Sequence, residues 1–165
     1  MIQKATLQDL EAVLDIYAVA RTYMKEHGNP TQWGEDYPPA GLLEDDILRE
    51  QLYLCREGDM VYGVFAFITG ADPTYAEIEQ GAWPSDEPYS TIHRIAGSGQ
   101  VKGTFHHCVE FCKQQADNIR IDTHKDNLTM QHLIEKEGFV PCGIISAEDG
   151  TSRIAYQYGA KERTE

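Results

Sequence analysis

The stretch Thr91-Ile92-His93-Arg94-Ile95-Ala96, Gly97-Ser98-Gly99-Gln100-Val101-Lys102-Gly103 and the run from Thr104 to Phe139 decides the fold. Its first six residues have the β-branched content of a short strand. A loop with three glycines follows, then a helical run from Thr104 to Ala116. Asn118-Ile119-Arg120-Ile121-Asp122 reads as a second strand. A second helix opens near Asn127 and stops at Glu137-Gly138-Phe139. A strand–loop–helix whose loop turns its amides toward one point suits a diphosphate, because backbone N–H groups bind the anion and glycine lets the main chain approach.

Outward from this stretch, the remaining elements fall into a simple order. Ile2 to Ala5 reads as a lead strand. Thr6 and Asp9 form a capping-box start, with Asp in place of Glu. The helix that follows carries Leu10, Val13, Leu14, Tyr17 and Met24 on one face, and His27-Gly28-Asn29-Pro30 ends it. Thr31 to Gly41 is a loop with Trp33 and Tyr37. A short helix over about Leu43 to Gln51 leads to a strand at Leu52 to Arg56, and Glu57-Gly58-Asp59 turns the chain into a long strand, Met60 to Thr69. Gly70 to Pro88 is irregular and holds Tyr75, Glu77, Glu79, Trp83 and Asp86. Phe139 to Ser146 and Thr151 to Tyr158 form a hairpin through Glu148-Asp149-Gly150. Gly159 to Glu165 is a charged, frayed tail. The order β-α-α-β-β-β-α-β-α-β-β predicts an α/β fold, a central mixed and mostly antiparallel sheet flanked by helices. The 165 residues are expected to form a single domain, with its binding core at about 89–145.

Composition narrows the function classes. Net charge is −13, from 27 acidic and 14 basic residues, and no basic stripe of a nucleic-acid binder is visible. The acid surplus is compatible with a cationic partner, but solubility is the plainer reading. Met1-Ile2-Gln3-Lys4-Ala5 leads directly into folded-looking sequence, and no apolar run approaches roughly 18 residues, so neither a signal peptide nor a membrane span is expected. Cys55, Cys108, Cys112 and Cys142 follow no disulfide spacing and read as reduced cytoplasmic thiols. Cys108 and Cys112 share the apolar stripe of their helix with Phe105 and Val109, and no metal site is expected. A homodimer is compatible with these features.

In order and spacing, the central stretch resembles the GNAT superfamily of acyl-coenzyme A N-acetyltransferases. The family's first motif is Gln or Arg, two residues, Gly, one residue, then Gly or Ala. Arg94 to Gly99 fits it literally, but its first half serves as strand. Gln100-Val101-Lys102-Gly103-Thr104-Phe105 lies at the loop-to-helix junction and is the preferred register, with Phe105 departing from the small residue of the pattern. Asn127, the stripe Met130/Leu133/Ile134 and the closing Gly138-Phe139 match the second motif. The resemblance implies acetyl-coenzyme A as co-substrate, held by Ile95, Ala96, Gln100, Val101, Lys102, Gly103, Thr104 and Phe105, with Asn127, Met130 and Lys136 from the second helix. It covers Tyr89 to Ile145 strongly and the N-terminal half in element order only.

The implied activity is acetyl transfer by direct attack of a primary amine, from a small molecule or from a peptide N-terminus or lysine. Many members use a tyrosine four residues before the Gly of Gly-Phe as general acid, and here that position is Ile134. Tyr156 or Cys142 could replace it, or the thiolate could leave unassisted, since a thiol pKa near ~8.5 permits that. Glu79 and His93 are the candidate bases. Trp33, Tyr37, Tyr75 and Trp83 are expected to line the acceptor pocket, where aromatic faces and acids suit an amine. Two other classes remain: a degenerate module that binds acyl-coenzyme A or a partner without turnover, and a nucleotide-binding α/β domain, which would need a Gly-x-Gly-x-x-Gly or Walker context absent here.

Overall fold

The computed structural model describes residues 1–159; the tail expected to be frayed lies, from residue 160 on, outside them. The expected order is observed, with seven strands and four helices among the described residues. The strands are β1 (Ile2–Lys4), β2 (Leu52–Glu57), β3 (Met60–Thr69), β4 (Ser90–Gly97), β5 (Asn118–Thr123), β6 (Val140–Ser146) and β7 (Ser152–Gly159). The helices are α1 (Leu10–Glu26), α2 (Ala40–Leu48), α3 (Thr104–Gln115) and α4 (Leu128–Lys136). Strand order in the sheet is β1-β2-β3-β4-β5-β7-β6. The β4/β5 pair is parallel, whereas β1/β2, β2/β3, β5/β7 and β6/β7 are antiparallel. The described residues divide into two compact units, residues 1–67 with 93–111, and residues 68–92 with those from 112 to 159.

In the first unit, α1 is entered through a 3-10 turn, Leu7–Asp9, whose Asp9 carboxylate accepts the Thr6 N–H at 2.8 Å. The buried face of α1 is Val13, Ile16 and Tyr17. Leu10, Leu14 and Met24 flank this face half-buried, so the apolar stripe is rotated toward Ile16 relative to the sequence reading. Asn29 N–H reaches back to Met24 C=O at 2.8 Å and Gly28 takes φ 80°, a left-handed stop that glycine permits. The second helix starts earlier than predicted, at Ala40, and the carbonyl of Pro39 at its N-cap accepts Leu43 N–H at 3.2 Å. It also ends earlier, where Glu50 takes φ 57°. The β2–β3 hairpin turns on Gly58, at φ 61°. Cys55 and Cys108 meet in this unit's core, sulfur to sulfur at 3.3 Å, and all four cysteines are buried thiols outside any disulfide.

In the second unit, β5, β7 and β6 form a continuous antiparallel ladder. A register shift between Pro141 and Gly143 places a bulge at Cys142. The segment 70–88 reads as irregular in the sequence, yet it contains a 3-10 turn, Pro73–Tyr75, and an isolated bridge to β6. Glu79 N–H donates to Ile144 C=O at 2.9 Å, and Ile144 N–H donates back to Glu79 C=O at 2.8 Å. Two glycines make that approach possible. A Cβ on Gly81 would collide with the Cys142 carbonyl, and one on Gly143 with the Glu79 carbonyl. Tyr75, Ile145 and Ala155 form a small core here, with Ile78, Trp83 and Tyr89 packed against it. No helix among the described residues is long and apolar enough to cross a membrane.

Candidate active site

The loop between β4 and α3 is held open by its own backbone. Ser98 N–H donates to Tyr62 C=O at 3.0 Å, and Gln100 N–H to Ser98 Oγ at 3.2 Å. Gly99 and Gly103 adopt φ 82° and 75°, conformations in which glycine is unstrained. Thr104 Oγ1 donates to Val101 C=O at 3.0 Å, and the first helical bond of α3 runs from His107 N–H to Gly103 C=O. The amides of Val101, Lys102, Gly103, Thr104 and Phe105 therefore all precede the first bond of the helical ladder. They carry the positive end of a twelve-residue helix. Gln100, Lys102 and Gly103 are exposed, while Ile95, Val101 and Thr104 are half-buried. Ala96 and Phe105 are buried, so the side chain that departs from the small-residue pattern points into the core. Thr104 owes its seat to Gly63 and Gly97: a Cβ on Gly63 would lie 2.8 Å from its methyl group, and one on Gly97 3.4 Å.

Before that loop, β4 is not a plain strand. Arg94 takes φ 53°, a left-handed conformation that costs a non-glycine residue about 1–3 kcal/mol. Its surroundings fix it there. The guanidinium donates to Asp46 from Nε and Nη2, at 2.9 Å each, with side chains only 10% and 2% exposed. The Arg94 carbonyl accepts the hydroxyl of Tyr17, whose phenol burial pushes far above its ordinary pKa. Burial is the largest single effect and opposes the Arg94 charge, yet Asp46, Tyr37 and Tyr17 together raise the guanidinium above the usual arginine range. Trp33 packs edge-on against Tyr17 with ring centres 5.5 Å apart, and Tyr37 lies 6.3 Å from Trp33. Arg94 Nη1 reaches Tyr37 Oη at 3.5 Å. Two of the four aromatic residues picked from the sequence thus gather around this ion pair. His93, half-buried, immediately precedes it.

The other two, Tyr75 and Trp83, belong to the second unit and touch each other at 5.1 Å between ring centres. Tyr75 Oη donates to Asp122 Oδ2 at 2.6 Å, and Trp83 Nε1 donates to Tyr75 C=O at 2.9 Å. They line an open cavity of about 380 Å³ with Asp72, Asp86, Tyr89 and Arg120. Glu79 is exposed, its main chain engaged in the bridge to β6. Cys142 Sγ, buried, donates to Val140 C=O at 3.4 Å. Tyr156 is 1% exposed, and burial, together with the Glu135 carboxylate, pushes its phenol up to about 12. Asn127 caps α4, its side-chain oxygen accepting Met130 N–H at 3.0 Å. Met130 is half-buried and Lys136 exposed in the last turn. Ile134, at the position of the family tyrosine, is fully buried. Among the described residues, no group of three or more His, Cys, Asp or Glu could hold a metal ion.

Sequence reasoning passed over Arg94, Asp46 and Arg120 as site residues. Asp46 and Arg120 are buried charges, the most informative kind of interior residue. Asp46 carried a signal, a charge three residues after Leu43 and one before Ile47 on the apolar side of its helix, whereas Arg120, between Ile119 and Ile121, falls on the outward face of an alternating strand and carried none.

No protein-family model matches this sequence, and no curated protein sequence matches it. Solved structures do. An acetyltransferase of the GNAT family from Streptococcus agalactiae is 30% identical, with TM-score 0.84, covering 96% of this chain and 94% of its own. A putative acetyltransferase from Staphylococcus aureus is 27% identical, with TM-score 0.70, over 96% of this chain and 98% of its own. The ribosomal-protein-S18-alanine N-acetyltransferase of Escherichia coli shares the fold at 13% identity, with TM-score 0.59, over 96% of this chain and 92% of its own.

Proposed function

Because this chain belongs to the GNAT family of acetyltransferases, we propose that it is an acetyl-coenzyme A-dependent N-acetyltransferase acting on a primary amine. The observation that carries this reading is the run of amides from Val101 to Phe105 ahead of the first helical bond of α3, beside two left-handed glycines. A diphosphate there would exchange water for preformed N–H donors at the positive end of a helix, with no charge buried unpaired. Lys102, exposed on the same loop, adds a mobile cation. Asn127, Met130 and Lys136 are proposed contacts for the rest of the coenzyme.

In the reaction, the neutral amine attacks the thioester carbonyl. The C–N bond forms, the C–S bond breaks, the nitrogen loses a proton and the sulfur leaves as thiolate or takes one up. Glu79 or His93 would receive the amine proton, directly or through water. Tyr156 stays protonated at neutral pH, which suits a donor to sulfur, and the Cys142 thiol is the other candidate. Trp33, Tyr37, Tyr75 and Trp83 are proposed acceptor contacts.

The test starts with the loop. Gly103→Val forces a β-branched residue into φ 75°, whereas Gly103→Asn tolerates that turn and adds only a side chain. Both should weaken acetyl-coenzyme A at least tenfold by calorimetry, with a lower melting temperature for the valine alone. Unchanged affinity in Gly103→Asn overturns the loop assignment. Release of coenzyme A with an amine panel then tests turnover. Tyr156→Phe or Cys142→Ala should cost roughly 10²-fold if that residue is the acid. If the acidic limb of the pH–rate profile survives both Glu79→Gln and His93→Gln, neither is the base. Coenzyme binding without release under any amine would leave a binding module rather than an enzyme.

A further inference from the structure

Arg120 is a buried cation that no acid among the described residues answers. The residue is 4% exposed, and an interior charge normally faces a counter-charge. Its Nε donates to Gln157 Oε1 at 2.8 Å and its Nη2 to Ser85 C=O at 3.1 Å, both neutral acceptors. The rings of Trp83 and Tyr89 lie over the guanidinium, each centre 3.8 Å from Cζ. Asp122, two residues along β5 and therefore on the same face, is occupied by the Tyr75 hydroxyl at 2.6 Å and by Arg153 at 3.5 Å. No carboxylate among the described residues lies within ion-pair distance of Arg120, whose other polar neighbour is the Tyr89 hydroxyl. Burial accordingly draws its pKa below the usual arginine value, against a smaller opposing effect of Tyr89.

The guanidinium lines the 380 Å³ cavity, whose walls are Tyr75, Trp83 and Tyr89 and whose edge carries Asp72, Asp86 and Glu87. Asp86 is exposed and has no partner among the described residues. The cavity is therefore bipolar, with a positive group at depth and negative groups toward solvent. A bare anion would meet the acids on its way in, and a bare amine would meet the guanidinium at the end. A molecule with a carboxylate at one end and an ammonium at the other satisfies both, with its methylene stem against the aromatic walls.

We propose that this cavity binds a small amino-acid-like zwitterion, its carboxylate on Arg120 and its ammonium at the Asp86/Glu87 edge. That this zwitterion is the acetyl acceptor rests on the acetyltransferase reading; its binding does not.

Calorimetry on the full chain with glycine, β-alanine, 4-aminobutanoate and 6-aminohexanoate tests it, beside n-alkylamines and n-alkanoates of matching length. At least one zwitterion is expected to saturate the site, with its matched amine and alkanoate each at least tenfold weaker. Arg120→Gln should weaken that zwitterion at least tenfold. Asp86→Asn with Glu87→Gln should reduce its affinity to that of the matched alkanoate. The double variant lies away from the buried strand and carries the test alone if Arg120→Gln fails to fold. Equal affinity across the three series, absence of saturable zwitterion binding, or unchanged affinity in the folded variants overturns the site. Coenzyme A release with the tightest zwitterion separates the two readings. Binding without release removes only the acceptor role, while failure of acetyl-coenzyme A to bind removes the acetyltransferase reading and leaves the cavity standing.

Discussion

Arg94 on β4 and Arg120 on β5 are both buried cations, and their surroundings follow opposite plans. Arg94 is closed on itself: a bidentate carboxylate neutralises it, and that pair also holds its backbone in a left-handed turn. Arg120 is held by shape and neutral acceptors, and its charge is left open toward a cavity. The Arg94 pair does structural work without any ligand. The Arg120 arrangement makes electrostatic sense only with something added. Completeness of charge pairing, more than burial, separates the two.

The sharpest way to break this comparison is to open the closed pair. Asp46→Ala leaves the Arg94 guanidinium buried and unanswered, and should cost about 3–5 kcal/mol in urea unfolding. A loss below about 1 kcal/mol would mean that Arg94 already finds water.

The second break concerns Asp122, the acid nearest in sequence to Arg120. Tyr75→Phe removes the hydroxyl it accepts and should cost about 1.5–3 kcal/mol at neutral pH, as for hydrogen bonds to charged groups. Burial first, and then Asp122, raise the Tyr75 pKa well above the ordinary tyrosine value. The folded chain thus keeps this proton after the unfolded chain has lost it. The contribution is complete below pH ~10 and falls as pH climbs toward the folded-state value. Wild type should therefore lose stability more steeply above pH ~10 than Tyr75→Phe, and parallel curves would show that the phenol ionises freely.

Arg120→Met comes third. Lost stacking on two rings and two lost hydrogen bonds are partly offset by relief of a buried charge with no ion pair, so we expect about 1–2 kcal/mol, less than Asp46→Ala. A loss as large as that of Asp46→Ala would erase the distinction. Asn127→Ala calibrates the scale: loss of one helix cap should cost about 1 kcal/mol. If coenzyme affinity falls as well, Asn127 is a contact; if only the melting temperature moves, it is a cap.

The sequence conveyed the element order because that order is written in local signals: Gly28 and Gly138 as helix stops, Asn127 as a cap, Gly58 and Gly150 in turns. These act over a few residues and need no partner from elsewhere. What stayed hidden was long-range. The left-handed Arg94 sits in a run that reads as strand, and only Asp46, 48 residues away, explains it. In the same way Arg120 reads as the outward residue of an alternating strand, because nothing local shows that the 70–88 segment covers that face. The acceptor aromatics were read as one group from loop position, yet Trp33 and Tyr37 pack with Tyr17, while Tyr75 and Trp83 pack with Tyr89.

The bridge between Glu79 and Ile144, sealed by Gly81 and Gly143, bears on the entropy of recognition. A long surface loop that forms a binding wall usually has to be ordered when its ligand arrives, at about 0.5–1.5 kcal/mol for each immobilised rotamer-rich side chain, with backbone ordering added. Here two main-chain hydrogen bonds and a glycine-to-carbonyl contact have already ordered the segment against β6 during folding. Widening Gly143 to alanine would force the strands apart at that point. Such a change should show itself less in which molecules bind than in a more unfavourable binding entropy, with the enthalpy of the contacts nearly intact.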